Sequence, residues 1–116
     1  MLKLKPIRPS LKEKKRYVVF SVIAKSPINQ ERVFKEIQES CLKFMGILSF
    51  SKAGLIILKN QYDSSINCGI LRINNRYVDH LKVSLMMITK IDGIEVNIIV
   101  KGVSGILKKV KEKFMK

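Results

Sequence analysis

The sequence predicts an α+β domain of ferredoxin-like, RRM-like order. Four strands and two helices follow one another as βαββαβ, giving a four-stranded antiparallel sheet with both helices on one face. A basic N-terminal arm and an extra C-terminal helix flank it. Three observations lead there. Hydrophobic spacing switches between period two and period 3.6 in that order along the chain. The 116 residues suffice for one hydrophobic core and not two. Each strand–helix–strand half closes with a right-handed crossover, so this topology is readily reached. The expected limits are the arm at 1–16, the core at 17–101 and the C-terminal helix at 102–116.

The first strand is Tyr17 to Ala24, rich in β-branched and aromatic residues and ended by Ser26-Pro27. Both of its parities are apolar, Val18, Phe20 and Val22 on one and Tyr17, Val19 and Ile23 on the other. Such a strand is covered on each face, and its second face offers a site for protein contact. Asn29 is a good N-cap for the first helix, with Ile28 and Val33 placed as a hydrophobic staple. Val33, Phe34, Ile37, Cys41, Phe44 and Met45 recur at helical spacing, and Gly46 is the expected stop. The segment Ile47 to Ala53 is ambiguous.

Gly54 to Lys59 and Gly69 to Asn74 read as the second and third strands, joined by a polar loop from Asn60 to Asn67. A second helix is expected from about Arg76 to Lys90, capped by Asn75 or Asn74, with Val78, Leu81, Leu85 and Ile88 along one face. Asp92-Gly93 turns the chain into a fourth strand, Ile94 to Lys101, whose alternate residues Ile94, Val96, Ile98 and Val100 are apolar. Gly102-Val103-Ser104-Gly105 leads into the last helix, with Ser104 its expected N-cap.

Hydrophobic residues make up 47% of the chain, which excludes wholesale disorder. The charge is unusual: 23 Lys and Arg against nine Asp and Glu leave +14. A small domain this basic has an anionic partner, most often nucleic acid. The excess sits at the ends. Residues 1–16 hold seven cations against Glu13, and residues 101–116 hold six against Glu112. The middle of the chain is close to neutral. In the last helix Ile106, Leu107, Val110 and Phe114 take one side, while Lys108, Lys109, Lys113 and Lys116 fall mostly opposite and Lys111 lies near the border. The candidate RNA-binding residues are therefore Arg8, Lys12, Lys14, Lys15 and Arg16 of the arm, with Lys108, Lys109, Lys111 and Lys113 of the helix.

Several classes drop out. No apolar run nears the roughly 18 residues of a membrane span. The charged start does not read as a secretory signal. Two cysteines and one histidine supply neither a disulfide framework nor a zinc set, so a reduced, cytoplasmic setting is expected. Position 106 is Ile, so the stretch from Gly102 is not a nucleophile elbow. Asp63, Asp79, Asp92 and Glu95 come from different elements, and no catalytic pair is expected. His80 reads as exposed or locally bonded, Cys41 as a buried thiol, and Met86-Met87 as core or interface. The third strand, Cys68 to Asn74, has no aromatic ring, so this sheet is not expected to stack bases as a true RNA recognition motif does.

The chain resembles archaeal ribonuclease P protein component 2, a family related to a eukaryotic nuclear ribonuclease P/MRP subunit. The resemblance rests on Pro9-Ser10-Leu11-Lys12-Glu13-Lys14-Lys15-Arg16-Tyr17, on Lys52-Ala53-Gly54-Leu55, and on Gly69-Ile70-Leu71-Arg72 leading to Tyr77-Val78. Gly102-Val103-Ser104-Gly105 before the lysine-rich helix completes it. It implies a non-catalytic subunit of the ribonucleoprotein that removes the 5′ leader of precursor tRNA. It also implies that RNA and Mg²⁺ do the chemistry, that this chain itself binds no cofactor or metal, and that protein component 3 is a partner. Association of two such heterodimers into a heterotetramer is implied as well.

Other readings share parts of this pattern. A general structured-RNA scaffold of ribosomal-protein type has the same charge map. A small acylphosphatase-like enzyme needs a phosphate-cradling loop that Lys25-Ser26-Pro27-Ile28 does not supply. A ligand-sensing regulatory domain gives no reason for two basic ends.

Overall fold

A computed structural model describes residues 14–114, with side chains to 113; Arg8 and Lys12 lie outside the described residues. The strands are β1 (Lys15–Ala24), β2 (Ile56–Ile57), β3 (Cys68–Asn74), β4 (Lys90–Ile91) and β5 (Ile94–Ser104). The helices are α1 (Gln30–Ala53), α2 (Val78–Met86) and α3 (Leu107–Phe114). The sheet runs β2-β3-β1-β5-β4, every pairing antiparallel. The four expected strands thus take split-βαβ order, but the sheet has five strands rather than four.

The fifth strand comes out of the expected second helix. Asp92 and Gly93 both have positive φ, 54° and 79°. That is the geometry of a two-residue hairpin turn, and it draws Lys90 opposite Glu95 and Ile91 opposite Ile94. Helix α2 accordingly ends at Met86, not near Lys90. Its start differs too. A 3₁₀ turn, Asn75–Tyr77, precedes it, and no side chain caps it. The Asn74 amide is used elsewhere: its Oδ1 accepts from Lys15 Nζ at 2.6 Å, and its Nδ2 donates to the Lys52 carbonyl at 2.7 Å.

Helix α1 begins as expected, with Asn29 Oδ1 accepting from the Glu31 N–H at 2.8 Å. Gly46 does break it, at φ 80° and ψ 162°. The ambiguous segment beyond is helical and closes on Gly54 in the left-handed region at φ 61°. Strand β2 is only two residues, because a 3₁₀ turn (Lys59–Gln61) takes over where the strand was expected to continue. Strand β5 runs on to Ser104, with Lys101 bulged out between Val100 opposite Phe20 and Gly102 opposite Val19.

Packing forms two layers of core around the sheet. Val18, Phe20 and Val22 of β1, with Leu71, Ile73 and Ile98, meet Val33, Ile37, Leu81 and Leu85 of the helices. Phe34 stands edge-on to Tyr62 at 5.3 Å, with the Phe20 ring 6.3 Å from Tyr62. A Cβ on Gly69 would lie 2.7 Å from the Phe20 ring, so only glycine fits there. On the opposite face Val110 and Leu107 of α3 cover Val19, Cys68 and Ile70. The second face of β1 is therefore not a protein-contact site along most of its length: α3 has filled it. Only Ile23 stands out, 53% exposed.

Candidate nucleic-acid interface

The basic ends meet at one end of the sheet. Lys15 and Arg16, assigned by sequence to the arm, are ladder residues of β1 opposite Asn74 and Ile73. Tyr17 lies opposite Ser104, the last residue of β5, so the arm leaves the sheet where α3 begins. Arg16 Nη1 donates to the Lys15 carbonyl at 3.2 Å and would be 3.0 Å from a Cβ on Gly105, so the lead-in to α3 passes against it. Segments some ninety residues apart in sequence are thereby brought to the same end of the sheet. The Lys15 ammonium is held by Asn74, beside the C-terminal carbonyls of α1, where a cation is favoured. Lys14 is exposed, and its carbonyl accepts from the Asn75 N–H at 2.7 Å.

Helix α3 presents its lysines outward for a physical reason. Val110 is fully buried and Leu107 half-buried on the sheet, which turns Lys108, Lys109, Lys111 and Lys113 to solvent. Ser104 Oγ accepts from the Ile106 N–H at 3.2 Å and shapes the entry to the helix. Lys108 and Glu112 approach at 4.0 Å, but both are widely exposed, so the pair contributes little. Lys111 also borders a shallow hollow lined by Asn60, Gln61, Tyr62, Asp63 and Ser64. By covering Val19 and Ile70, α3 occupies the sheet centre on which an RNA recognition motif stacks bases.

Sequence reasoning missed two features. Arg72 shares the α3-side parity of β3 with Cys68 and Ile70, and an arginine within an otherwise apolar strand was the signal. The second is an apolar surface on the helical layer. Phe44, which recurs at helical spacing with the apolar residues of α1, is 44% exposed and shares one hollow with Val83 and another with Met87. Ile47, Leu48 and Met86 are exposed as well. Met86-Met87 is thus surface rather than core. His80 is exposed, its ring 5.3 Å from that of Tyr77.

Both thiols are buried. Burial pushes Cys41 up from 9.0 to about 11, against the opposing hydrogen bond of Ser84. Burial also raises Cys68, which Lys101 partly counters. A neutral native Cys41 thiol contributes stability that is full below pH 9 and is lost as pH rises towards 11. Cys68 lies under α3 and Cys41 inside the main core, so local undocking of α3 exposes only the former. With a disulfide reagent at pH 8, Cys68 is expected to react first and Cys41 only on global unfolding. Equal rates, followed by mass spectrometry, contradict this.

Fold and charge define a class: a small α+β sandwich that carries a basic helix across the sheet face opposite its other helices. Residues 16–115 match the Rpp14/Pop5 family, and the chain belongs to it. It is similar to Ribonuclease P protein component 2 of Thermococcus kodakarensis, 34% identical over 97% of this chain and 92% of that protein. The protein of the same name from Methanococcus vannielii is 37% identical, over 97% and 83%. Among solved structures, a chain of yeast ribonuclease MRP shares the fold with TM-score 0.65 at 16% identity, covering 88% of this chain and 92% of that one.

Proposed function

We propose that this chain is a protein subunit of ribonuclease P, the ribonucleoprotein that removes the 5′ leader of precursor tRNA, and that it acts by binding and stabilising the catalytic RNA. The observation that carries the reading is the anchored basic helix, read with the family. Crowded RNA phosphates repel one another, and lysines set against them lower the salt and Mg²⁺ needed to hold the active shape. Mg²⁺ belongs to the RNA, which performs the cleavage. The partner protein is ribonuclease P protein component 3. Its docking surface on this chain is the apolar helical layer around Phe44, Val83 and Met87, where α1 and α2 together are close to neutral while α3 carries four lysines against one glutamate. RNA and protein thus take opposite sides of the sheet.

Reconstitution tests this. The chain, protein component 3 and ribonuclease P RNA are combined, and precursor-tRNA cleavage is followed at limiting Mg²⁺. Cleavage is expected to need all three, and the mass of the particle gives its stoichiometry, including any pairing of heterodimers. No stimulation, with tight binding to unrelated structured RNA, supports the general scaffold reading instead.

A further inference from the structure

Arg72 sits where the two basic segments converge. In β3 it lies opposite Tyr17 of β1 and opposite Ile56 of β2, and Tyr17 lies opposite Ser104 of β5. These four residues form a row across the sheet on the α3 side, at the end where the arm departs and α3 begins. The Arg72 side chain keeps some exposure, yet its Nε is buried without a hydrogen bond. No carboxylate pairs with it among the described residues. A half-exposed guanidinium that the fold leaves without a hydrogen bond or carboxylate has its outward N–H groups available to an acceptor from outside.

We propose that Arg72 is an RNA phosphate contact set between the root of the arm and the start of α3. The inference rests on the subunit reading above and names a residue within it. Arginine suits this place better than lysine. Its two Nη groups present a planar pair of N–H donors that matches two phosphate oxygens, while an ammonium offers only a point charge. Its neighbours in the row, Tyr17, Ser104 and Ile56, bring no carboxylate to compete with a phosphate for the guanidinium. The contact reads the sugar-phosphate backbone and not base identity, in keeping with a sheet that α3 has closed to stacking.

The test uses the reconstituted particle with protein component 3 and ribonuclease P RNA. Arg72→Gln is expected to weaken RNA binding about tenfold at ~0.1 M salt and to reduce the slope of log K against log salt by about one. Arg72→Lys should recover most of the slope but not all of the affinity. A purely structural arginine shifts thermal stability and leaves the slope alone. A second measurement needs no variant: phenylglyoxal labelling of wild-type Arg72, read by mass spectrometry, should fall when RNA is bound. Unchanged affinity and slope in Arg72→Gln overturn the proposal. So does labelling that is equal, or absent, with and without RNA. If the wild-type particle fails to bind the RNA at all, the subunit reading itself fails and the Arg72 contact falls with it.

Discussion

Replacing Lys108, Lys109 and Lys113 together by Ala is expected to lower affinity for ribonuclease P RNA by about two decades at ~0.1 M salt and to flatten the salt slope by about three. The three ammonium groups are exposed, and the ion pair of Lys108 with Glu112 at 4.0 Å is solvent-screened. What holds α3 in place is Val110 and Leu107, which the substitutions leave untouched. Alanine also favours helix over lysine by a few tenths of a kcal/mol or less. The circular dichroism spectrum and thermal midpoint should therefore stay as they are while binding falls. Filter binding across a salt series decides it: an unaltered slope takes α3 off the RNA surface.

The largest effect on stability is expected from Phe20→Ala. The ring is fully buried in the central strand, near Tyr62 and with Gly69 directly across from it. Truncating a buried Phe costs about 3–5 kcal/mol, a large part of the roughly 5–15 kcal/mol that holds a domain folded. Urea titration should show a much lower midpoint with the m value preserved. Gly69→Ala attacks the same contact from the other side. Its Cβ, 2.7 Å from the ring, forces the aromatic cluster apart at about 1–3 kcal/mol. A loss below about 1 kcal/mol for Phe20→Ala would mean that the ring does not hold the sheet to its helices.

The order of elements was readable because hydrophobic period survives in single strands and helices. The Val18, Phe20 and Val22 parity of β1 does face the helices, and Val110 does face the sheet. Boundaries failed where tertiary pairing overrides local pattern. Lys15 and Arg16 look like tail residues until Asn74 and Ile73 are seen across from them. Lys90 and Ile91 continue a helical spacing, but the Asp92-Gly93 turn claims them for a hairpin. The basic helix of the candidate site was evident from its wheel. The meeting of the two ends and the half-buried position of Arg72 depend on strand register, which no composition or spacing specifies.

Strand β1 is the middle of the sheet and comes first in the chain, whereas its two neighbours come later, with Tyr17 pairing to Arg72 on one side and to Ser104 on the other. During synthesis its apolar residues must wait unpaired while most of the domain is being made, since β5 is among the last elements to emerge. Closure of those distant pairings is entropically slow, and an open, greasy central strand invites mispairing with other nascent chains in the interval. Folding of this domain is thus timed by its C-terminal third: the same stretch that carries the lysine helix also supplies the strand that completes the sheet.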